Sequence, residues 1–108
     1  MLTFTQAEAM IAVSKGTTRR LGDNTTLVRL GRDTYAVRSH RTDVVTIHRD
    51  GRYTLKTGGW QTPTTKDRIN TYGPVQVRIY QKQRQWCWGD GVPFVSGMTY
   101  DVTRKQVV

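Results

Sequence analysis

An α+β fold made mainly of antiparallel strands is predicted by three observations. Turn signals recur at Gly22-Asp23-Asn24, Gly31-Arg32-Asp33 and Asp50-Gly51 and separate short runs rich in Thr, Val, Ile and Tyr. Within those runs apolar and polar residues alternate with period two. Two other segments, one at the N-terminus and one after Gly58-Gly59, carry helix caps and terminators instead.

The first element reads as a helix. Thr5 and Glu8 have capping-box spacing, Phe4 is placed as a hydrophobic staple, Met10, Ile11 and Val13 give an apolar side, and Gly16 terminates it. Strands are then predicted near 17–21, 25–30, 34–39, 44–48 and 52–57. Across the Arg49-Asp50-Gly51 hairpin, Val45, Ile47, Tyr53 and Leu55 share one face. Thr46, His48, Arg52, Thr54 and Lys56 share the other. Gly58-Gly59 ends this β run. Thr64 or Thr65 caps a short helix reaching Tyr72, with Asp67 in its first turn, and Gly73-Pro74 stops it. A second β group follows near 75–82, 85–88, 92–95 and 98–103. Lys82-Gln83-Arg84, Gly89-Asp90-Gly91 and Ser96-Gly97 break it. The result is an antiparallel meander or small, partly open barrel with an N-terminal helix and one short inserted helix, in a single domain over residues 1–108.

Hydrophobic residues make up 36% of the chain, so the core is modest and leans on three Trp, five Tyr and two Phe. The 17 Lys and Arg against 8 Asp and Glu give a net charge of +9. Twelve of these cations are arginine, whose planar fork donates two parallel hydrogen bonds to a phosphate. A GC-rich genome also favours arginine over lysine. Cys87 is the single cysteine, which excludes an internal disulfide and fits a reducing compartment. The N-terminus has no secretory pattern and no segment approaches the length of a membrane span, so a soluble cytoplasmic protein is expected.

Much of the positive excess falls on outward strand positions, and a basic sheet face suits a polyanion. The expected electrostatic contacts to nucleic acid are Arg38, His48, Arg52, Lys56, Arg78 and Arg84, with Lys66 and Arg68 as secondary contacts at the second helix. Tyr80 or an exposed Trp would add base stacking. Base reading is not expected, because no helix-turn-helix or zinc-finger pattern is present. The Gly58–Arg68 stretch lacks the Gly-Lys-Ser/Thr order of a Walker loop. It reads either as a phosphate cradle on free backbone N–H groups, or as structure, with Thr65 capping, Trp60 anchoring the core and Ile69 with Tyr72 packing beneath the sheet. His40, His48 and Asp43 lack the third histidine, glutamate or paired cysteines of a metal or catalytic site. No enzyme activity, metal or cofactor is therefore expected. Trp86 and Trp88 alternate, share one face and read as core.

The run from Thr34 to Tyr72 resembles small proteins of uncharacterised function encoded by tailed bacteriophages of actinobacteria. The resembling pieces are the 37–45 segment, Asp50-Gly51, Thr54-Leu55, Gly58-Gly59-Trp60 and Thr64-Thr65-Lys66-Asp67-Arg68-Ile69-Asn70. The resemblance implies phage origin and expression in the cytoplasm of an infected host, and it brings no catalytic residues. It keeps two alternatives open beside nucleic-acid binding. One is an inhibitor that binds an acidic host protein; the other is a protein that sequesters a nucleotide signal through the 58–68 segment.

Overall fold

The computed structural model describes residues 1–108. The elements run α1 (Phe4–Ser14), β1 (Thr18–Gly22), β2 (Thr25–Gly31), β3 (Thr34–Ser39), β4 (Thr42–His48), β5 (Arg52–Leu55), α2 (Pro63–Tyr72), β6 (Tyr80–Lys82), β7 (Gln85–Trp88), β8 (Val92–Pro93), β9 (Met98–Asp101) and β10 (Gln106–Val107). Seven strands form an open antiparallel sheet ordered β1-β2-β3-β4-β5-β9-β10, and β6-β7-β8 form a second sheet. The fold is α+β, and the main sheet does not close into a barrel. No helix is long and apolar enough to cross a membrane.

The β4–β5 hairpin sets the layering. Val45 pairs with Leu55 and Ile47 with Tyr53, and all four side chains are buried, while Arg52 and Lys56 are exposed. The inward row continues through Leu27, Val37 and Tyr35 on one side and Tyr100 and Met98 on the other. Both helices and the small sheet cover this face. Phe4 meets Tyr35 edge-on at 5.1 Å, the Tyr53 hydroxyl donates to the Leu2 carbonyl at 2.8 Å, and Trp88 packs against Tyr100. Burying each large apolar side chain contributes roughly 1.5–3 kcal/mol. The opposite face of the sheet carries no second layer. Its central row is Val28, Ala36, Thr46, Thr54 and Thr99.

A β-bulge breaks the alternation in β4. Pairing passes from Val37–Val45 directly to Arg38–Asp43, so Val44 has no partner on β3. Val44 and Val45 are both buried, at 1% and 0% exposure, where strict alternation would turn one of them outward.

The helix ends differ from the sequence expectation. Thr3, not Thr5, caps α1: its hydroxyl accepts from the Gln6 N–H, and the Gln6 side chain accepts from the Thr3 N–H. Lys15 in the left-handed region ends α1 ahead of Gly16, and Ala7 and Ile11 form the buried stripe while Val13 is exposed. In α2 the cap is Thr62, whose hydroxyl accepts from the Thr65 N–H, and Thr65 itself is buried. Pro63 fixes this start, since its ring sets a helical φ and it has no N–H to satisfy.

The predicted strand over 75–82 shrinks to Tyr80–Lys82. Val77 and Ile79 are inward and Arg78 outward, so the alternation holds without a strand partner. Asn70 of α2 takes the partner's place: its amide donates to the Ile79 carbonyl at 2.9 Å and accepts from the Ile79 N–H at 2.7 Å. The C-terminal β10 was not anticipated from the sequence.

The β6–β7 hairpin turns through Gln83 and Arg84, both at positive φ (52° and 67°). Side chains other than Gly, Asn and Asp are strained in this conformation. Replacing the pair with Asn-Gly is expected to raise the unfolding free energy by about 1 kcal/mol. Urea titration should show a higher midpoint at constant slope. A lower midpoint would mean that Gln83 or Arg84 makes contacts the turn depends on.

Candidate functional site

The outward charges of the main sheet are largely matched. Arg38 donates from Nε to Asp43 Oδ1 at 2.7 Å, a contact that the bulge creates by bringing Asp43 opposite Arg38. This hydrogen bond and the Asp43 charge raise the Arg38 pKa further above its usual value. Arg52 Nε lies 2.8 Å from Asp50 Oδ2. Arg68 is held between Asp67 Oδ2 at 2.6 Å and the Thr25 hydroxyl at 2.8 Å. Arg49 bridges Asp33 and Glu8, Arg20 meets Asp23, and Arg104 meets Asp101.

Six of the 17 cations thus engage seven of the 8 acids, leaving eleven cations and one acid, Asp90, without an ion pair. Of the expected contacts, Lys56, Lys66, Arg78 and Arg84 belong to the unpaired set. They come from separate elements. Lys56 follows β5, Lys66 lies in α2, and Arg78 and Arg84 belong to the segment leading into and turning the small sheet. His48 and Arg52 do come together, in a shallow recess that Arg49, Asp33 and Asp50 also line. His48 Nε2 lies 3.3 Å from the Thr54 hydroxyl. Burial pushes its imidazole below the usual pKa, the Arg52 charge adds to this, and Asp50 partly opposes it. The shift favours the neutral imidazole, so His48 adds less positive charge than a free histidine would. No three His, Cys, Asp or Glu side chains converge on a point.

A cavity of about 540 Å³ lies at the end of the main sheet; four of its lining residues belong to the 58–68 stretch, and its β3–β4 wall was not anticipated from the sequence. Three segments wall it: the β3–β4 turn with Ser39, His40 and Arg41; the loop after β5 with Thr57 and Trp60; and the start of α2. Trp60, expected to anchor the core, is 66% exposed there. Gly58 and Gly59 at positive φ turn the chain outward before it, and the Trp60 N–H donates to the Thr57 carbonyl at 3.0 Å. Two of the N–H groups that a backbone phosphate cradle would use are not free at this helix start: Thr62 occupies the Thr65 N–H, and Pro63 has none to offer. The signal available in the sequence was Trp60 itself, set between Gly58-Gly59 and Pro63 in a stretch with no strand partner.

The Kyanoviridae Gp96 protein family matches residues 3–101. No curated protein and no solved structure matches the chain. With the match running from the cap of α1 to the end of β9, the chain belongs to the Kyanoviridae Gp96 protein family and is a phage protein, of cyanophages rather than of phages infecting actinobacteria.

Proposed function

We propose that this phage protein binds nucleic acid through its phosphates, as a cationic surface that neither reads bases nor catalyses a reaction. The observation that supports this reading is the imbalance left after ion pairing: eleven free cations against the single free acid Asp90. Lys56, Lys66, Arg78 and Arg84 meet a phosphate without giving up a protein partner. Arg38, Arg52 and Arg68 must exchange one, which costs little for Arg52 because exposed pairs are worth about 0–1 kcal/mol. The place of action on this reading is the cytoplasm of the infected host.

Generic duplex should be retarded at low salt, and affinity should fall roughly tenfold or more between about 50 and about 200 mM salt. Changing Lys56, Arg78 and Arg84 together to Gln should flatten the salt dependence by about 0.9 log units per lost contact. The loss should be similar for unrelated sequences, since phosphate contacts position a protein without reading bases. A folded protein that retards no DNA or RNA at the lower salt would end this reading.

A further inference from the structure

We propose that the cavity beside Trp60 binds one 5′-phosphorylated nucleoside, with the base stacked on the indole and the phosphate held by Arg41. Its volume of about 540 Å³ falls within the range of small-molecule sites. Trp86 is buried and Trp88 packs on Tyr100, so Trp60 alone offers an open indole face. The turn that carries this indole is held in place before any ligand arrives. A Cβ on Gly58 would lie 2.5 Å from the Thr42 hydroxyl oxygen, so the turn presenting Trp60 sits tightly against the β3–β4 turn. Gly58 at φ +61° also favours glycine on conformational grounds.

The polar side of the cavity selects an anion. Arg41 has no ion-pair partner, and no carboxylate is present in the lining. Ser39 supplies a second polar group in the wall. It is only 6% exposed, it lines the cavity, and its hydroxyl makes no hydrogen bond within the protein. Its oxygen is open to solvent on the cavity side, since no buried side-chain oxygen or nitrogen in the protein lacks a partner, and it is free to pair with a ligand there. An aromatic platform, a free guanidinium and a free hydroxyl around one cavity match a planar base joined to a phosphate. Such a group comes either as a free mononucleotide or as an unpaired nucleotide of a single strand. A base inside a duplex is excluded, because both its faces are already stacked.

This site stands apart from the backbone binding proposed above, and its test does not use duplex. Adenosine 5′-monophosphate, adenosine and a short single-stranded oligonucleotide should be titrated by calorimetry into the wild-type chain and into Trp60→Ala, Arg41→Gln and Ser39→Ala. Monophosphate binding should be saturable and at least about tenfold tighter than adenosine binding, and Trp60→Ala should weaken it by about tenfold or more, as loss of one stacked base does. Arg41→Gln should reduce the preference for monophosphate over adenosine. Trp60 and Arg41 are exposed, so both variants should melt like the wild type. Binding of both ligands, or of monophosphate alone, supports a free nucleotide; binding of the oligonucleotide alone supports a strand residue. No binding of either ligand at millimolar concentration, or binding indifferent to Trp60→Ala and Arg41→Gln, overturns the assignment.

Discussion

Val44→Asp is expected to lower the unfolding free energy by about 3–5 kcal/mol, the cost of leaving an uncompensated charge in the interior. Strict period-two alternation would make position 44 an outward site where Asp is tolerated. The bulge opposite Val37 makes it an inward one, beside Val45. A small domain has only about 5–15 kcal/mol in total, so the variant should be partly unfolded under mild conditions. Thr46→Asp is the control. It is half-buried on the face without a second layer and should cost about 1 kcal/mol or less. Urea titration of the two variants decides between bulged and regular pairing: a Val44→Asp midpoint equal to that of Thr46→Asp would place the strand in an unbulged register. The effect extends beyond stability, because Val44 also lines the cavity beside Trp60 and the same bulge brings Asp43 to Arg38.

The hairpin was legible because a sheet with one covered face writes its register as alternation, and Asp50-Gly51 marks the point where it reverses. The bulge was not, since an extra valine in a run of valines changes neither composition nor turn signals. Helix starts failed for a related reason. Thr3 with Gln6 and Thr5 with Glu8 both satisfy capping-box spacing. Tertiary packing settles the choice: Leu2 is buried with its carbonyl on the Tyr53 hydroxyl, and Phe4 sits on Tyr35, which pins the chain just before and at the helix start.

At the surface, the number of charges was legible and their pairing was not. Arg38 and Asp43 face each other because a turn and a bulge lie between them, and Arg68 reaches Thr25 across 43 residues of sequence. Six surface cations therefore carry their own counter-charges, and the free cations sit mostly at turns and on the small sheet. Trp60 was read as core because large aromatics usually are. Two consecutive glycines at positive φ reverse that expectation.

Asn70→Ala should cost about 2–4 kcal/mol, although the residue is polar and only partly buried. Its amide does what a neighbouring strand would do for Ile79, accepting from the N–H and donating to the carbonyl. Ile79 is itself buried in the main core, between the exposed Arg78 and Tyr80. Alanine leaves a donor and an acceptor without partners beside apolar packing, and each such loss costs roughly 1–3 kcal/mol. Asn70→Asp separates the two bonds. It keeps an acceptor for the Ile79 N–H but turns a carboxylate oxygen toward the carbonyl, so it should fall at least as far as alanine at neutral pH and recover part of the loss when the carboxyl is protonated in acid. Hydrogen exchange should locate the damage, with the Ile79 amide losing protection before those of β4 and β5. Because Arg78 and Arg84 lie on the segment that Asn70 ties to α2, nucleic-acid affinity should weaken in Asn70→Ala even where the main sheet remains folded. Wild-type stability in Asn70→Ala would mean that Ile79 finds its partners elsewhere, and that the small sheet is held to the domain by apolar contacts alone.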